Sequence, residues 1–126
     1  MELLEKQELT ALVNIAFALC LKGKVFEGRE ILKHLKEAEP SLMAAKVGIA
    51  FSHITVNEFD KARELLDECL QEDPDDQDVL ALKAFSYALE KNEDEVKELG
   101  EKISEDHPSA FKLYQDALEI LNKEAS

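Results

Sequence analysis

The chain of 126 residues has no tryptophan, 3 prolines, 4 glycines and 6% aromatic residues. So few turn-forming residues argue against a β-protein, which needs a Gly- or Pro-rich turn every few residues, and favour an all-helical one. Its two cysteines, Cys20 and Cys69, each sit inside an apolar helical pattern and lack the paired spacing of a metal site. Reduced, packed thiols are therefore expected rather than a disulfide framework. A basic patch is also missing: 15 Lys and Arg face 28 Asp and Glu, for a net charge of -13. Phosphate backbones and anionic membranes attract clustered Lys and Arg, so neither nucleic acid nor a membrane surface is an expected partner. The longest nearly apolar run, residues 11–21, is too short to span a bilayer, and the opening MELLEKQELT lacks the basic stretch of a secretory signal. A soluble, cytoplasmic protein is the expectation.

Catalytic signatures are missing as well. His34, His53 and His107 fall on an outer helix face, a packing position and a loop, with no H-E-x-x-H or Cys-His spacing. Asp73, Asp75, Asp76 and Asp78 crowd together but lack the glycine and terminal glutamate of a calcium loop, and read better as a charged turn. There is no Gly-rich phosphate loop and no nucleophile elbow. A non-enzyme without cofactor or metal is expected.

What the chain has is a period. Pro40, Pro74 and Pro108 are 34 residues apart, and Phe17, Phe51 and Phe85 keep the same register. A fixed period of this length marks stacked helix-turn-helix units, because one such unit cannot bury its own apolar face and must share it with a neighbour. The 45% hydrophobic content suffices for a core in a single small domain, 1–126.

Helical spacing of apolar residues gives the elements. Residues 12–21 are apolar nearly all round, with Asn14 the exception, and such a helix must be covered on more than one side. A turn at Lys22, Gly23 and Lys24 leads to a second helix with Phe26, Gly28, Ile31, Leu32 and Leu35 on its dry side. Pro40 closes that unit, and Ser41 is placed to cap the next helix. The second unit runs 42–56, turns at Asn57 and Glu58, and continues over 59–71 with Ala62, Leu65, Leu66, Cys69 and Leu70 inside. The third runs 77–90, turns near Lys91 and Asn92, and continues to Ser104 with Val96, Leu99 and Ile103 inside. A last helix, 109–124, turns Phe111, Tyr114, Ala117, Leu118 and Leu121 to one face, as a terminal cap must.

In this register the chain resembles the tetratricopeptide-repeat (TPR) family, with three units at about 9–40, 43–74 and 77–108 and a capping helix at 109–124. The family's packing sites are met by Leu12, Ile15, Ala16 and Leu19 in the first unit. In the second they are met by Ile49, Ala50, Asn57, Phe59, Ala62, Leu66, Cys69 and Pro74, and in the third by Leu80, Ala84, Tyr87 and Pro108. Val96 and Gly100 depart from the pattern, suggesting a looser sixth helix, as do Gly28, Leu35, Lys46, His53 and Lys83. The resemblance implies a right-handed solenoid of helical hairpins.

Unit positions 5, 9 and 12 lie on one helical stripe, separate from the packing positions. In the family that stripe lines the concave surface. Here it reads Val13, Phe17 and Cys20, then Val47, Phe51 and Ile54, then Ala81, Phe85 and Ala88, all apolar. Two readings stand: a groove for an amphipathic helix of a client, with self-association when the client is missing, or side chains that fill space beside the next unit or under the last helix. The Lys, Arg and Asn clamp by which some TPR proteins grip acidic C-termini has only Asn14 as a counterpart. The architecture and groove character resemble the small chaperones of type III secretion, especially those that hold the needle subunit. That likeness implies a client helix and a small helical co-chaperone, for which the apolar run at 11–21 is the candidate contact. The alternative is a general TPR scaffold or adaptor working through its acidic outer surface.

Overall fold

In the computed structural model, which describes residues 5–125, the same hairpin turn recurs three times. Gly23, Asn57 and Lys91, 34 residues apart, all take positive φ, at 86°, 63° and 64°. Each turn is closed by the same long backbone bond: Lys24 N–H to Leu19 O at 2.8 Å, Glu58 N–H to His53 O at 2.9 Å, and Asn92 N–H to Tyr87 O at 2.9 Å. A left-handed residue followed by this bond is the standard way for a helix to stop while satisfying its last carbonyls. Seven helices result among the described residues: α1 (Lys6–Leu21), α2 (Val25–Ala38), α3 (Met43–Ile54), α4 (Phe59–Glu72), α5 (Gln77–Leu89), α6 (Glu93–Gly100) and α7 (Pro108–Ala125). The described residues contain no strand.

The prolines act between units. Leu42 N–H bonds Glu39 O at 2.9 Å, closing a turn whose second position is Pro40. Asp76 N–H bonds Asp73 O at 3.2 Å around Pro74 in the same way. This turn consumes Ser41, so the residue expected to cap α3 does not; Leu42 stands at the N-cap without a side-chain bond. Asp76 does cap α5, accepting from Val79 N–H at 3.1 Å. Pro108 is the first residue of α7, where its missing N–H costs nothing.

The chain forms two compact units, Met1–Leu65 and Leu66–Ser126, with the boundary inside α4. In the first, α1 packs on α2 and α3. Its core joins Val13, Ala16, Leu32, Leu35, Ala45 and Ile49. Two glycines allow the close approach. A methyl at Gly28 would lie 2.7 Å from the Ala16 carbonyl oxygen, and one at Gly48 would lie 2.6 Å from a Leu32 methyl. Gly28, a departure from the family pattern, thus lets α2 settle directly onto α1.

In the second unit α7 lies along α5. Leu80, Ala81, Ala84, Leu99, Ile103 and Ala110 form one buried cluster, and Ala88, Val96 and Ala117 another. The expected helix to Ser104 ends at Gly100 instead. The Gln77 side chain takes over the following backbone: its amide N–H donates to Lys102 O at 2.9 Å, and its carbonyl accepts from Ser104 N–H at 2.7 Å. Ile103 stays buried outside the helix. Gly100 leaves room for the hydroxyl end of Tyr114 from α7, so the missing large side chain there is supplied by the last helix. Lys83, another departure, reaches Asp67 of α4 at 2.8 Å.

Candidate binding surface

The nine stripe residues divide by burial. Val13, Cys20, Ile54, Ala81 and Ala88 are buried, whereas Phe17, Val47, Phe51 and Phe85 are half-buried. In the first unit the structure brings the α1 and α3 phenylalanines together: the rings of Phe17 and Phe51 meet edge to face, centroids 5.1 Å apart at 73°. Such a pair is worth about 0.5–1.5 kcal/mol beyond the area it buries. Phe85 belongs to the second unit, where it packs against the cluster of Ala88, Val96 and Ala117. Burial pushes the Cys20 thiol above its ordinary value, with Arg29 partly offsetting the rise, so this sulfur behaves as packing.

A polar network stands beside the stripe in the first unit. Ser52 is fully buried on α3; its hydroxyl donates to Ile49 O at 2.6 Å and accepts from the Arg29 guanidinium at 2.9 Å. One Arg29 nitrogen also lies 3.5 Å from Glu58 Oε1, and His53 Nδ1 lies 2.8 Å from the same oxygen. With the carboxylate accepting, Nδ1 of His53 carries the proton. This bond from His53 is the main cause holding the Glu58 carboxyl below the usual glutamate value, aided by the nearby Lys61 and Arg29 charges. The network ties α2, α3 and the start of α4 into one body, which explains His53 at a position where the family pattern has a packing residue.

Some residues read as packing are open, and others open to water lie in the apolar run at 11–21. Phe26, expected on the dry side of α2, is 72% exposed, and Leu21 at the end of α1 is also 72% exposed. Ile15, expected to pack, is 50% exposed, and Val56 is exposed too. Ala11 and Ala18 share the open side of α1, while Leu12 and Leu19 are half-buried. The signal was in the sequence: residues 12–21 are apolar nearly all round, and among the described residues only α2 and α3 pack on α1.

A family model for the tetratricopeptide repeat matches residues 53–121, more than half of the chain. The chain belongs to the tetratricopeptide-repeat family. The match starts at the end of α3 and takes in α4 to α7. Residues before it carry the same positive-φ turn, at Gly23, in the same 34-residue register. TPR repeats mediate protein–protein interactions, and this TPR chain accordingly presents packing faces and surfaces. No curated protein and no solved structure is similar enough to the chain to count as a match. Among the described residues, no helix is long and apolar enough to cross a membrane.

Proposed function

We propose that this TPR chain is a non-catalytic, cytoplasmic chaperone that holds an amphipathic helix of a client protein on the stripe of its first helices. The observation that carries the reading is the half-buried set Phe17, Val47 and Phe51: three apolar side chains on one unit that keep surface in water. Phe85 is the second unit's counterpart. The other stripe residues, Val13, Cys20 and Ile54 in the first unit and Ala81 and Ala88 in the second, are buried. Covering a Phe side chain is worth about 1.5–3 kcal/mol, so an apolar helix face is the chemistry such a surface favours. In its sharpest form the client is the needle subunit of a type III secretion system, which three repeats, a closing helix and an apolar stripe support by likeness of architecture.

A second reading draws on the burial of five of the nine residues. If the stripe serves mainly as core, the working surface is the acidic outer side, where residues 64–126 carry nineteen Asp and Glu against six Lys and Arg. Affinity purification from the native source, with mass spectrometry of what is retained, separates the two. The chaperone reading expects one small helical protein, lost in a Val47→Asp variant; the scaffold reading expects a multi-subunit complex that this variant retains.

A further inference from the structure

We propose that the α1–α2 turn docks onto the α5–α6 region of a second copy of this chain, so that without other partners the protein associates head to tail. The turn is short and apolar at both flanks: Leu21 and Phe26 are each 72% exposed, and between them Lys22 and Lys24 are exposed as well. Isolated exposed apolar residues are ordinary, but two large ones flanking a single tight turn are not needed by its geometry. The turn is made by Gly23 at φ 86° with open space around its Cα, and by backbone bonds. An exposed apolar group of this kind reads as a contact.

Charge selects the occupant. Residues 9–36 hold five Lys and Arg, at 22, 24, 29, 33 and 36, against Glu27 and Glu30, so this stretch is basic in a chain of net charge -13. The complementary surface is on the same molecule. Leu89 at the end of α5 is exposed, and residues 90–101 hold six Glu and Asp against Lys91 and Lys97. Glu93, Asp94 and Glu98 of that stretch are exposed. The first surface is thus net basic beside Leu21 and Phe26, with Glu27 exposed among the lysines, and the second is net acidic beside Leu89, with Lys91 and Lys97 exposed among the carboxylates. The contact proposed is heterologous, each copy offering one surface to a second copy and receiving the other from a third.

Sedimentation velocity on the full chain, from micromolar to millimolar protein and at low and high salt, tests this. The expected result is mass that grows with concentration and falls with salt, since the attraction between exposed charges is screened over about 10 Å at 0.1 M. Phe26→Ser, and separately the pair Lys22→Glu with Lys24→Glu, alter only exposed side chains and are expected to weaken association about tenfold or more. The pair Asp94→Lys with Glu98→Lys is expected to do the same. Mixing the two charge-reversed proteins is expected to bring back association that neither shows alone, because the intact turn of one meets the intact acidic surface of the other and the two reversed surfaces are again opposite in charge. A chain that is monomeric throughout, or one whose association these variants leave unchanged, overturns the proposal. Circular dichroism of each variant confirms that the helices persist; should Phe26→Ser lose them, the charge-reversal mixture decides alone. Client binding at Val47 is read separately, so failure here leaves the chaperone reading untouched.

Discussion

Phe17 on α1 and Phe51 on α3, 34 residues apart in sequence, meet edge to face with ring centroids 5.1 Å apart. The repeat in the sequence is therefore a contact in space, and it joins successive first helices of the solenoid units. A double-mutant cycle with Phe17→Leu and Phe51→Leu is expected to give a coupling of about 0.5–1.5 kcal/mol by denaturant unfolding. Additive losses would mean that the rings only share a surface.

The three hairpin turns place different residues in one backbone conformation. Gly23 adopts its positive φ freely, whereas Lys91 at 64° carries a Cβ that crowds the following carbonyl. Replacing it with glycine, Lys91→Gly, is expected to raise stability by about 1 kcal/mol, although glycine ordinarily weakens a helical protein. A higher denaturant midpoint with unchanged slope is the readout, and a lower midpoint would contradict the turn geometry.

Gly28 and Gly48 both sit under close neighbours, but the neighbours differ in stiffness. At Gly28 an added methyl meets the backbone carbonyl of Ala16 at 2.7 Å and Cys20 Sγ at 2.9 Å; at Gly48 it meets the end of the Leu32 side chain. Gly28→Ala should therefore cost about 1–3 kcal/mol even after the gain in helix propensity, and Gly48→Ala clearly less. Thermal unfolding of the two single variants compares them directly.

Acid should loosen the first unit at a defined place. Hydrogen bonding from His53 holds the Glu58 carboxyl below its ordinary value of about 4.3. Because the folded value is the lower one, the unfolded chain binds the proton more readily: the contribution is present above pH of about 4.3 and disappears as pH falls through the folded value. The side chain is open to water, so added salt should shrink the effect. Glu58→Gln should flatten this part of the stability–pH curve, and an unchanged curve would show that the contact is not formed in solution.

Much of the fold was legible because a strict period leaves few choices. Three prolines and three phenylalanines in one register placed seven helices and their turns, and Asn57 and Lys91 fell where the turns are. The misses have local physical causes. Ser41 was drawn into a β-turn with Pro40, so it could not cap α3. The end of α6 depended on Gln77, which is 25 residues from Lys102 and reaches its carbonyl only in the folded chain. Gly100 looked like a weakness, because nothing in the sixth helix says that Tyr114 will fill the space.

The stripe was harder to read than the core. Spacing alone assigns Val13, Cys20, Ile54, Ala81 and Ala88 to the same face as Phe17, Val47, Phe51 and Phe85, yet neighbouring helices bury the first group and leave the second half open. Side-chain length separates part of the set: the alanines are too short to emerge between adjacent helices, while the phenylalanines reach past them. Phe26, read on the dry side of α2, is exposed for the opposite reason, since helical periodicity places a side chain on a face but does not say whether anything covers that face.

The most direct measurement is a photo-crosslinker introduced at Val47, compared with one at the exposed Glu68 on α4 of the acidic half, in the protein expressed in its native source. The chaperone reading predicts that Val47 captures one defined segment whose apolar residues recur at helical spacing, and that Glu68 captures little. Capture from Glu68 with none from Val47 would contradict it and place the working surface on the acidic side.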